Sequence, residues 1–149
     1  MAGKNRKRGK GATQYGALPY VMDERGAVRV LLVTSRETRR WVIPKGWPMK
    51  GREPHEAAAQ EAFEEAGVLG EAAPVPIGAY PYWKRRKRTF KLLTVEVYPL
   101  RVRDLADTWP EAHQRERAWA APERAAALVD EPGLVALLDA FAPSRDEGE

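Results

Sequence analysis

The 149-residue chain contains no cysteine, so it can form neither a disulfide nor a thiolate metal site. Histidine is almost as scarce. His55 and His113 are the only two, which disfavours a histidine metal site and a Ser-His-Asp triad. No apolar run approaches the roughly 20 residues of a membrane-spanning helix, and the N-terminus lacks the apolar segment of a signal peptide. We therefore expect one cytoplasmic domain with a core of ordinary size.

The net charge of +4 is distributed unevenly along the chain. Residues 1–10 hold five bases and no acid, and residues 84–88, the basic pentapeptide, hold five more. Removing both groups from the 25 bases leaves 15 bases against 21 acids, so the remainder is acidic. We predict a disordered basic tail at residues 1–12, a folded domain at 13–142 and a disordered acidic tail at 143–149. The basic tail either contacts RNA or only adds solubility, and its composition favours the second reading.

The pattern of apolar residues and turn signals predicts a strand-rich fold with a few well-separated helices. The predicted strands cover residues 14–22, 28–35, 41–44, 76–83, 89–100 and 115–120. The predicted helices follow Pro54 and cover residues 122–129 and 132–140. The basic pentapeptide falls between two of the strands, so we expect it at the tip of a hairpin.

The helix predicted between Pro54 and Gly67 carries three carboxylates close together. Glu61 and Glu65 lie one turn apart on the same stripe, and Glu64 lies beside them. Like charges at this spacing repel by about 0.2–0.5 kcal/mol even in solvent, unless a cation or a raised pKa relieves them. Oxygen-only ligands of this kind suit a hard divalent ion such as Mg²⁺. The alternative is a solvated helix face, because Glu is also a good helix former.

The segments flanking this helix favour a site. A loop punctuated by glycine and proline, residues 46–51, leads into it, and Pro54 suits the first turn. Gly67 stands where a left-handed residue would end the helix. A carboxylate stripe between two such loops is typical of a binding or catalytic site.

Residues 46–68 resemble the signature of the Nudix hydrolase family. That signature is a Gly, five residues, a Glu, seven residues, then Arg-Glu-apolar-x-Glu-Glu-x-Gly-apolar. The positions in register are Gly46, Glu61, Ala62, Glu64, Glu65, Gly67 and Val68. Two positions depart from it: Arg52 replaces the early Glu, and Gln60 replaces the Arg. The family's Arg is thought to orient a catalytic Glu, and Gln60 offers that Glu only an uncharged amide hydrogen bond.

The resemblance implies an α/β/α sandwich with a mixed β-sheet and a metal-dependent hydrolase of pyrophosphate bonds. In the family, two Glu residues hold metal and another activates the attacking water. Carried over to this chain, Glu61 and Glu65 become metal ligands together with the Gly46 carbonyl, and Glu64 becomes the general base. Mg²⁺ is the expected ion, with Mn²⁺ as the alternative.

Within the family, the chain looks most like the branch that hydrolyses diphosphoinositol polyphosphates and diadenosine polyphosphates. The similar segments are Trp41-Val42-Ile43-Pro44-Lys45-Gly46, Ser35-Arg36, Arg85 with Lys87-Arg88-Thr89-Phe90, and Arg115-x-Arg117-x-Trp119. This similarity makes Ser35, Arg36, Lys45, Arg85 and Arg115 candidate substrate ligands. A dense set of bases suits a highly phosphorylated small molecule, because Arg binds phosphate bidentately and Lys binds it as a point charge.

Alternatives remain open at this stage. The basic pentapeptide also fits a solvated hairpin tip that blocks edge pairing, or an RNA surface with Tyr80, Tyr82 and Trp83 as stacking partners. The whole chain also fits an RNA 5′-pyrophosphohydrolase. A non-hydrolytic module that binds nucleotides or RNA would explain Arg52 and Gln60, but retention of all three Glu residues favours an enzyme. No membrane partner is expected, and the oligomeric state is left open.

Overall fold

The computed structural model describes residues 12–143. Nearly all of the predicted basic tail and residues 144–149 of the predicted acidic tail therefore lie outside the described residues. Residues 12–143 form eight strands and three helices. In chain order they are β1 (Thr13–Met22), β2 (Val28–Thr34), β3 (Trp41–Val42), β4 (Lys45–Gly46), α1 (Pro54–Ala66), β5 (Val68–Ala72), β6 (Gly78–Arg85), β7 (Phe90–Leu105), β8 (Arg117–Ala120), α2 (Pro122–Leu128) and α3 (Pro132–Ala140).

All eight strands of the described chain belong to one mixed sheet organised around β1 and β7. These two strands pair in parallel, with Thr13 opposite Thr94 and Tyr20 opposite Arg101. β1 also pairs antiparallel with β2 and β4, and β2 extends the sheet to β3 and β8. β7 is 16 residues long and serves two antiparallel partners, β6 along its first half and β5 along its second.

The helices cover both faces of this sheet because alternate strand residues point to opposite sides. On one face, Val30 and Leu32 of β2 pack in a core with Leu134 and Leu138 of α3. On the other face, Leu31 packs with the alanines of α1. The predicted α/β/α sandwich with a mixed sheet is confirmed. None of the helices in residues 12–143 is long and apolar enough to cross a membrane.

α1 approaches the sheet closely because its inner stripe consists of alanines. Ala58, Ala62 and Ala66 are fully buried at i, i+4 spacing. The helix starts with Pro54 at its first position, and Gly67 ends it at φ +69°, a left-handed conformation that glycine adopts without strain. This close approach carries the carboxylate stripe to the edge of the sheet.

Several strand boundaries differ from those predicted. Only the first half of the strand expected at 41–44 forms, as β3, and a separate short strand, β4, follows it. The strand expected at 115–120 begins at Arg117. β7 continues five residues past Leu100, where it pairs with the unpredicted β5. The β5 sequence includes Gly70 at a register shift, so it is a strand because β7 supplies a partner, against weak local propensity.

Candidate metal and phosphate site

A cavity of about 640 Å³ opens at the edge of the sheet reached by α1, β4 and the β6–β7 hairpin. Eight of the nine predicted site residues line it, namely Ser35, Arg36, Lys45, Gly46, Glu61, Glu65, Arg85 and Arg115. They come from separate segments of the chain and meet only in the folded protein. Glu64, the predicted general base, is not among the lining residues.

Gly46 and Glu61 are packed against each other at the floor of the cavity. Tyr15 of β1 pairs with Gly46 and holds that glycine beside α1. A Cβ atom at position 46 would overlap the Glu61 carboxylate, so only glycine leaves room for it. The Gly46 backbone therefore lies next to the predicted metal ligand, as the sequence signature implies.

The Glu61 and Glu65 carboxyl groups are hydrogen-bonded to each other. Burial raises the pKa of Glu65 to about 8, although Arg115 and Lys45 nearby oppose the shift. Burial also raises the pKa of Glu61, and a hydrogen bond links the two carboxyl groups. Ionising both carboxyl groups therefore costs free energy, which a cation between them would offset. A divalent ion would take the place of the shared proton.

The oxygen donors at this floor suit a magnesium ion whose other coordination positions are filled by water and substrate phosphate. Within residues 12–143, no three His, Cys, Asp or Glu side chains are grouped to enclose a metal. Mg²⁺ does not need such a cage, because proteins usually hold it by one or two carboxylates, water and substrate phosphate. Glu61 and Glu65 are carboxylates of that type, and the Gly46 carbonyl as a further ligand stays a prediction.

Both departures from the signature are connected to Glu64, Gln60 directly and Arg52 through Gln60. Gln60 Nε2 donates a hydrogen bond to Glu64 Oε2 at 2.8 Å. Arg52 Nη1 donates to Gln60 Oε1 at 3.3 Å. The two replaced residues thus form one chain of hydrogen bonds ending on Glu64, with a positive charge at its far end. The role of Glu64 as base stays a prediction.

Glu111 is a site residue that the sequence reasoning missed. It lines the cavity and accepts a hydrogen bond of 2.6 Å from Arg115 Nε. Arg115 also donates to the Thr34 carbonyl at 2.9 Å, lies 3.8 Å from Glu65, and has a side chain only 9% exposed. Arg115 thus acts in this structure as the counter-ion of two carboxylates. The i, i+4 spacing of Glu111 and Arg115 was the one sequence signal for this pair.

The loop that carries Glu111 is docked on the C-terminal end of α1. Trp109 Nε1 donates to the Glu65 carbonyl, and Arg117 Nη1 donates to the Ala66 carbonyl, both at 2.9 Å. The Arg117 guanidinium lies 4.0 Å from the Trp109 ring centroid, in cation–π geometry. The Glu111 N–H donates to the Glu64 carbonyl at 3.0 Å. These contacts satisfy carbonyls at the helix end and fix Glu111 relative to the carboxylate stripe.

Among the remaining predicted ligands, Arg36 and Arg85 are exposed at the opening and Lys45 lies deeper, near Glu65. Arg36 donates a hydrogen bond to the Gln114 side chain at 3.1 Å. Lys45 Nζ lies 4.2 Å from the Tyr82 ring centroid, and burial lowers the pKa of Lys45 while the nearby Glu65 opposes that shift. Arg85 is exposed at the end of β6. The cavity therefore has a carboxylate floor and a basic rim.

Residues 13–141 match the family model described as NUDIX domain. The match covers most of the chain, so the chain belongs to the Nudix family of hydrolases, and the predicted family is confirmed.

Three relatives illustrate the similarity. Nudix hydrolase 18, mitochondrial, of Arabidopsis thaliana is 29% identical over 126 residues, which cover 78% of this chain and 68% of the relative. Nudix hydrolase 21, chloroplastic, of the same plant is 30% identical, covering 85% of this chain and 64% of the relative. Diphosphoinositol polyphosphate phosphohydrolase 2 of Rattus norvegicus is 36% identical, covering 60% of this chain and 48% of the relative. The chain thus spans about half to two thirds of these relatives.

Solved structures share the fold. A binary complex of the C. elegans Ap4A hydrolase is 21% identical with a TM-score of 0.62, covering 85% of this chain and 92% of that one. The M. smegmatis Nudix hydrolase RenU is 20% identical with a TM-score of 0.60, covering 85% and 81%.

Proposed function

We propose that the protein hydrolyses pyrophosphate bonds in polyphosphorylated small molecules, with Mg²⁺ as cofactor and water as the attacking nucleophile. Dinucleoside polyphosphates and inositol pyrophosphates are the two candidate substrates. The observation that carries this proposal is the pairing of the Glu61 and Glu65 carboxyl groups at the floor of a cavity whose rim is basic. A polyphosphate bound to a divalent cation needs carboxylates to hold the cation and basic side chains to hold the phosphates.

Each cavity residue has a defined task in this proposal. Glu61, Glu65 and the Gly46 carbonyl would hold Mg²⁺, which neutralises phosphate charge and makes water more acidic. Arg36 and Lys45 bind the phosphates, and their positive charge stabilises the negative charge on the transferred phosphoryl group.

The proposed phosphate contacts at the edge of the cavity are one exposed side chain, Arg85, and one half-buried side chain, Ser35. Arg85 supplies a guanidinium at the hairpin, and the Ser35 hydroxyl supplies a donor near Arg36. Arg115 is a further candidate phosphate ligand. It would bind phosphate while it also contacts Glu65 and Glu111.

The general base is Glu64 in this proposal. Gln60 fixes the orientation of its carboxylate, which would accept the proton that the attacking water loses. Glu111 is the second candidate base, because it lines the cavity and Glu64 does not.

The names of two relatives support the substrate classes. The rat relative is named a diphosphoinositol polyphosphate phosphohydrolase, and one structural neighbour is titled an Ap4A hydrolase. In this chain, the exposed basic residues at the rim, Arg36 and Arg85, would bind the phosphates of such substrates.

A substrate panel tests the proposal. The protein is incubated with Mg²⁺ and diadenosine penta- or hexaphosphate, an inositol pyrophosphate, a nucleoside triphosphate or triphosphorylated RNA. We expect turnover of at least one of the first two, abolished by Glu65→Gln and by a chelator. Glu71→Gln is the matched control, because Glu71 is an exposed carboxylate outside this cavity. An absence of turnover throughout the panel, with Mg²⁺ bound, would reject the enzyme in favour of a binding module.

A second candidate function is the removal of pyrophosphate from RNA 5′ ends. It is favoured by two exposed aromatic rings beside the basic pentapeptide, Trp83 (62% exposed) and Phe90 (60% exposed). Exposed rings next to bases can stack on unpaired nucleotides. The triphosphorylated RNA in the panel tests this function directly.

A further inference from the structure

The β6–β7 hairpin exposes three large apolar side chains on one face. Trp83, Phe90 and Leu92 are 62%, 60% and 45% exposed. Trp83 pairs directly with Leu92, and Phe90 lies two residues before Leu92 on the same strand, so all three project from the same face. We call these three side chains the apolar patch. Leu92 does not line the cavity, so the apolar patch extends beyond the site described above.

The opposite face of the hairpin is packed in the core. Tyr80 of β6 and Val95 of β7 pair with each other, are almost fully buried, and belong to the core that contains α3. The hairpin is therefore held firmly on one side while its other side keeps large apolar groups in water. Apolar groups that stay exposed side by side on a well-packed element mark an interaction surface.

Basic residues surround the apolar patch. Residues 82–95 contain the basic pentapeptide and Lys91, six bases in all, and no Asp or Glu. The first acid beyond them, Glu96, accepts a hydrogen bond of 2.8 Å from the Tyr98 hydroxyl. The hairpin thus combines an apolar surface with concentrated positive charge, and its partner must be apolar and anionic.

A second basic segment joins the sheet beside this hairpin. Residues 1–10 hold five bases and no acid. The Ala12 carbonyl, at the start of the described chain, accepts a hydrogen bond of 2.9 Å from the Thr94 N–H. Thr94 lies two residues after Leu92 on β7. Both basic segments of the chain are therefore attached next to the apolar patch.

We propose that this hairpin is a docking surface for an anionic lipid bilayer. The apolar patch inserts at the level of the lipid head groups, and the bases around it contact anionic head groups. Interfacial anchors combine Trp, Phe and Leu with Lys and Arg, because buried apolar area and electrostatic attraction both strengthen binding. The sequence expectation of no membrane partner rested on the lack of a spanning segment, which does not bear on attachment to a bilayer surface.

The composition of the apolar patch favours lipid over RNA. Nucleotide bases stack on flat rings, which Trp83 and Phe90 supply and Leu92 does not. A bilayer accepts an aliphatic side chain as well as an aromatic one, because the gain depends on the apolar area removed from water. A hairpin tip that only blocks edge pairing would need the bases, but it would not need the apolar patch.

Sedimentation of the full chain with lipid vesicles tests the proposal. Vesicles of phosphatidylcholine are compared with vesicles that also contain phosphatidylserine. We expect binding to the anionic vesicles only, weakened by added salt. Leu92→Ser should weaken this binding about tenfold through lost apolar contact, and Arg86→Gln/Lys87→Gln about 20-fold through two lost charges. Melting temperatures close to that of the wild type would show that these variants are folded.

Matched control variants make the same chemical changes elsewhere. Val75→Ser removes another exposed apolar side chain. Arg25→Gln/Arg29→Gln removes two exposed charges near the β1–β2 turn, at the end of β1 away from Thr13 and the hairpin. Both controls should change vesicle binding less than about twofold, because they lie outside the docking surface. Equal weakening by the controls would assign the binding to overall composition and overturn the proposal.

Tryptophan fluorescence measures insertion separately from attachment. Lipids brominated on their acyl chains should quench the wild-type fluorescence. Trp83→Phe should still bind the vesicles and lose most of this quenching. Binding without quenching of the wild type would contradict insertion, and binding of single-stranded RNA without binding of anionic vesicles would overturn the lipid assignment in favour of RNA. All of these measurements report binding, so their outcome does not depend on the proposed hydrolysis.

Discussion

Single residues in the cavity floor are tied to one another by size and charge. The space that a side chain at position 46 would need is occupied by the Glu61 carboxylate. Glu61 in turn shares a hydrogen bond with Glu65, whose burial is tolerated with Arg115 beside it. Each of these residues is constrained by its neighbour, so conservative substitutions here should have large effects.

Gly46→Ala should reduce turnover by about 100-fold, because the added methyl group displaces the Glu61 carboxylate and misplaces a metal ligand. Mg²⁺ affinity, measured by titration calorimetry, should fall with it. The matched control is Gly51→Ala in the same loop, where a Cβ atom meets nothing within 4 Å. That control adds only backbone strain at φ +79° and should keep most of the activity. Wild-type turnover in Gly46→Ala would contradict the assignment.

Glu65→Gln should stabilise the metal-free protein at alkaline pH while abolishing turnover. The pKa of Glu65 is about 8 in the folded protein against an ordinary 4.5, so ionisation costs more in the folded state. The metal-free wild type therefore loses stability as pH rises from about 4.5 to about 8, and the variant lacks this loss. Melting temperatures in chelator at pH 6 and 8.5 measure the growing difference. A difference independent of pH would contradict the origin of the effect.

At the scale of elements, α1 is held at both ends and along one side. A proline and a left-handed glycine define its ends, and its alanines pack against the sheet. The loop carrying Trp109 and Glu111 is hydrogen-bonded to its C-terminal end. The hydrogen-bond chain from Arg52 through Gln60 runs along its outer side to Glu64. This arrangement gives the two unusual signature residues a common task in orienting one carboxylate.

Breaking this chain should lower kcat more than it changes KM. Gln60→Met should reduce kcat by about tenfold, as is typical when a partner that orients a catalytic group is removed. Gln60→Arg alone would place two guanidinium groups together, and the double variant Arg52→Glu/Gln60→Arg should relieve that repulsion and exceed the single variant in kcat. A pH–rate profile distinguishes orientation of Glu64 from a general loss of fold. Additive effects of the two substitutions would show that the residues do not act together.

Local patterns were sufficient to predict α1 and its carboxylates, since i, i+4 spacing and the terminal Gly67 are determined within a few residues. Glu111 was missed because its loop docks on α1 through long-range contacts, and its i, i+4 spacing to Arg115 does not reveal that docking. β5 was missed for a related reason, since its strand conformation depends on pairing with β7.

At the scale of the whole molecule, one cavity combines buried carboxylates at its floor with exposed basic residues at its opening. The basic pentapeptide divides between the inside and the outside of that cavity, since Lys84 and Arg85 line it and residues 86–88 do not. The two halves of this short segment should therefore serve different ligands.

Paired substitutions in the pentapeptide should separate these roles. Lys84→Gln/Arg85→Gln should raise KM for a polyphosphorylated small molecule about tenfold, because phosphate contacts are lost. Arg86→Gln/Lys87→Gln is the matched control, with the same charge change outside the cavity, and should change that KM less than twofold by the same contact argument. Equal effects of both pairs would mean that the hairpin acts only through its net charge. The salt dependence of RNA binding by the second pair measures any contact with nucleic acid.

The parallel pairing of β1 with β7 has a consequence for the order in which the protein acquires its site. Gln14 meets Val95 across this seam, while the carboxylate floor lies on the β1 side and the hairpin on the β7 side. Contacts so distant in sequence form slowly, because a long loop must close, with a loss of entropy, before these contacts can stabilise the fold. The cavity is therefore completed only when the two halves of the sheet join, and a substrate that touches both sides would hold that seam closed.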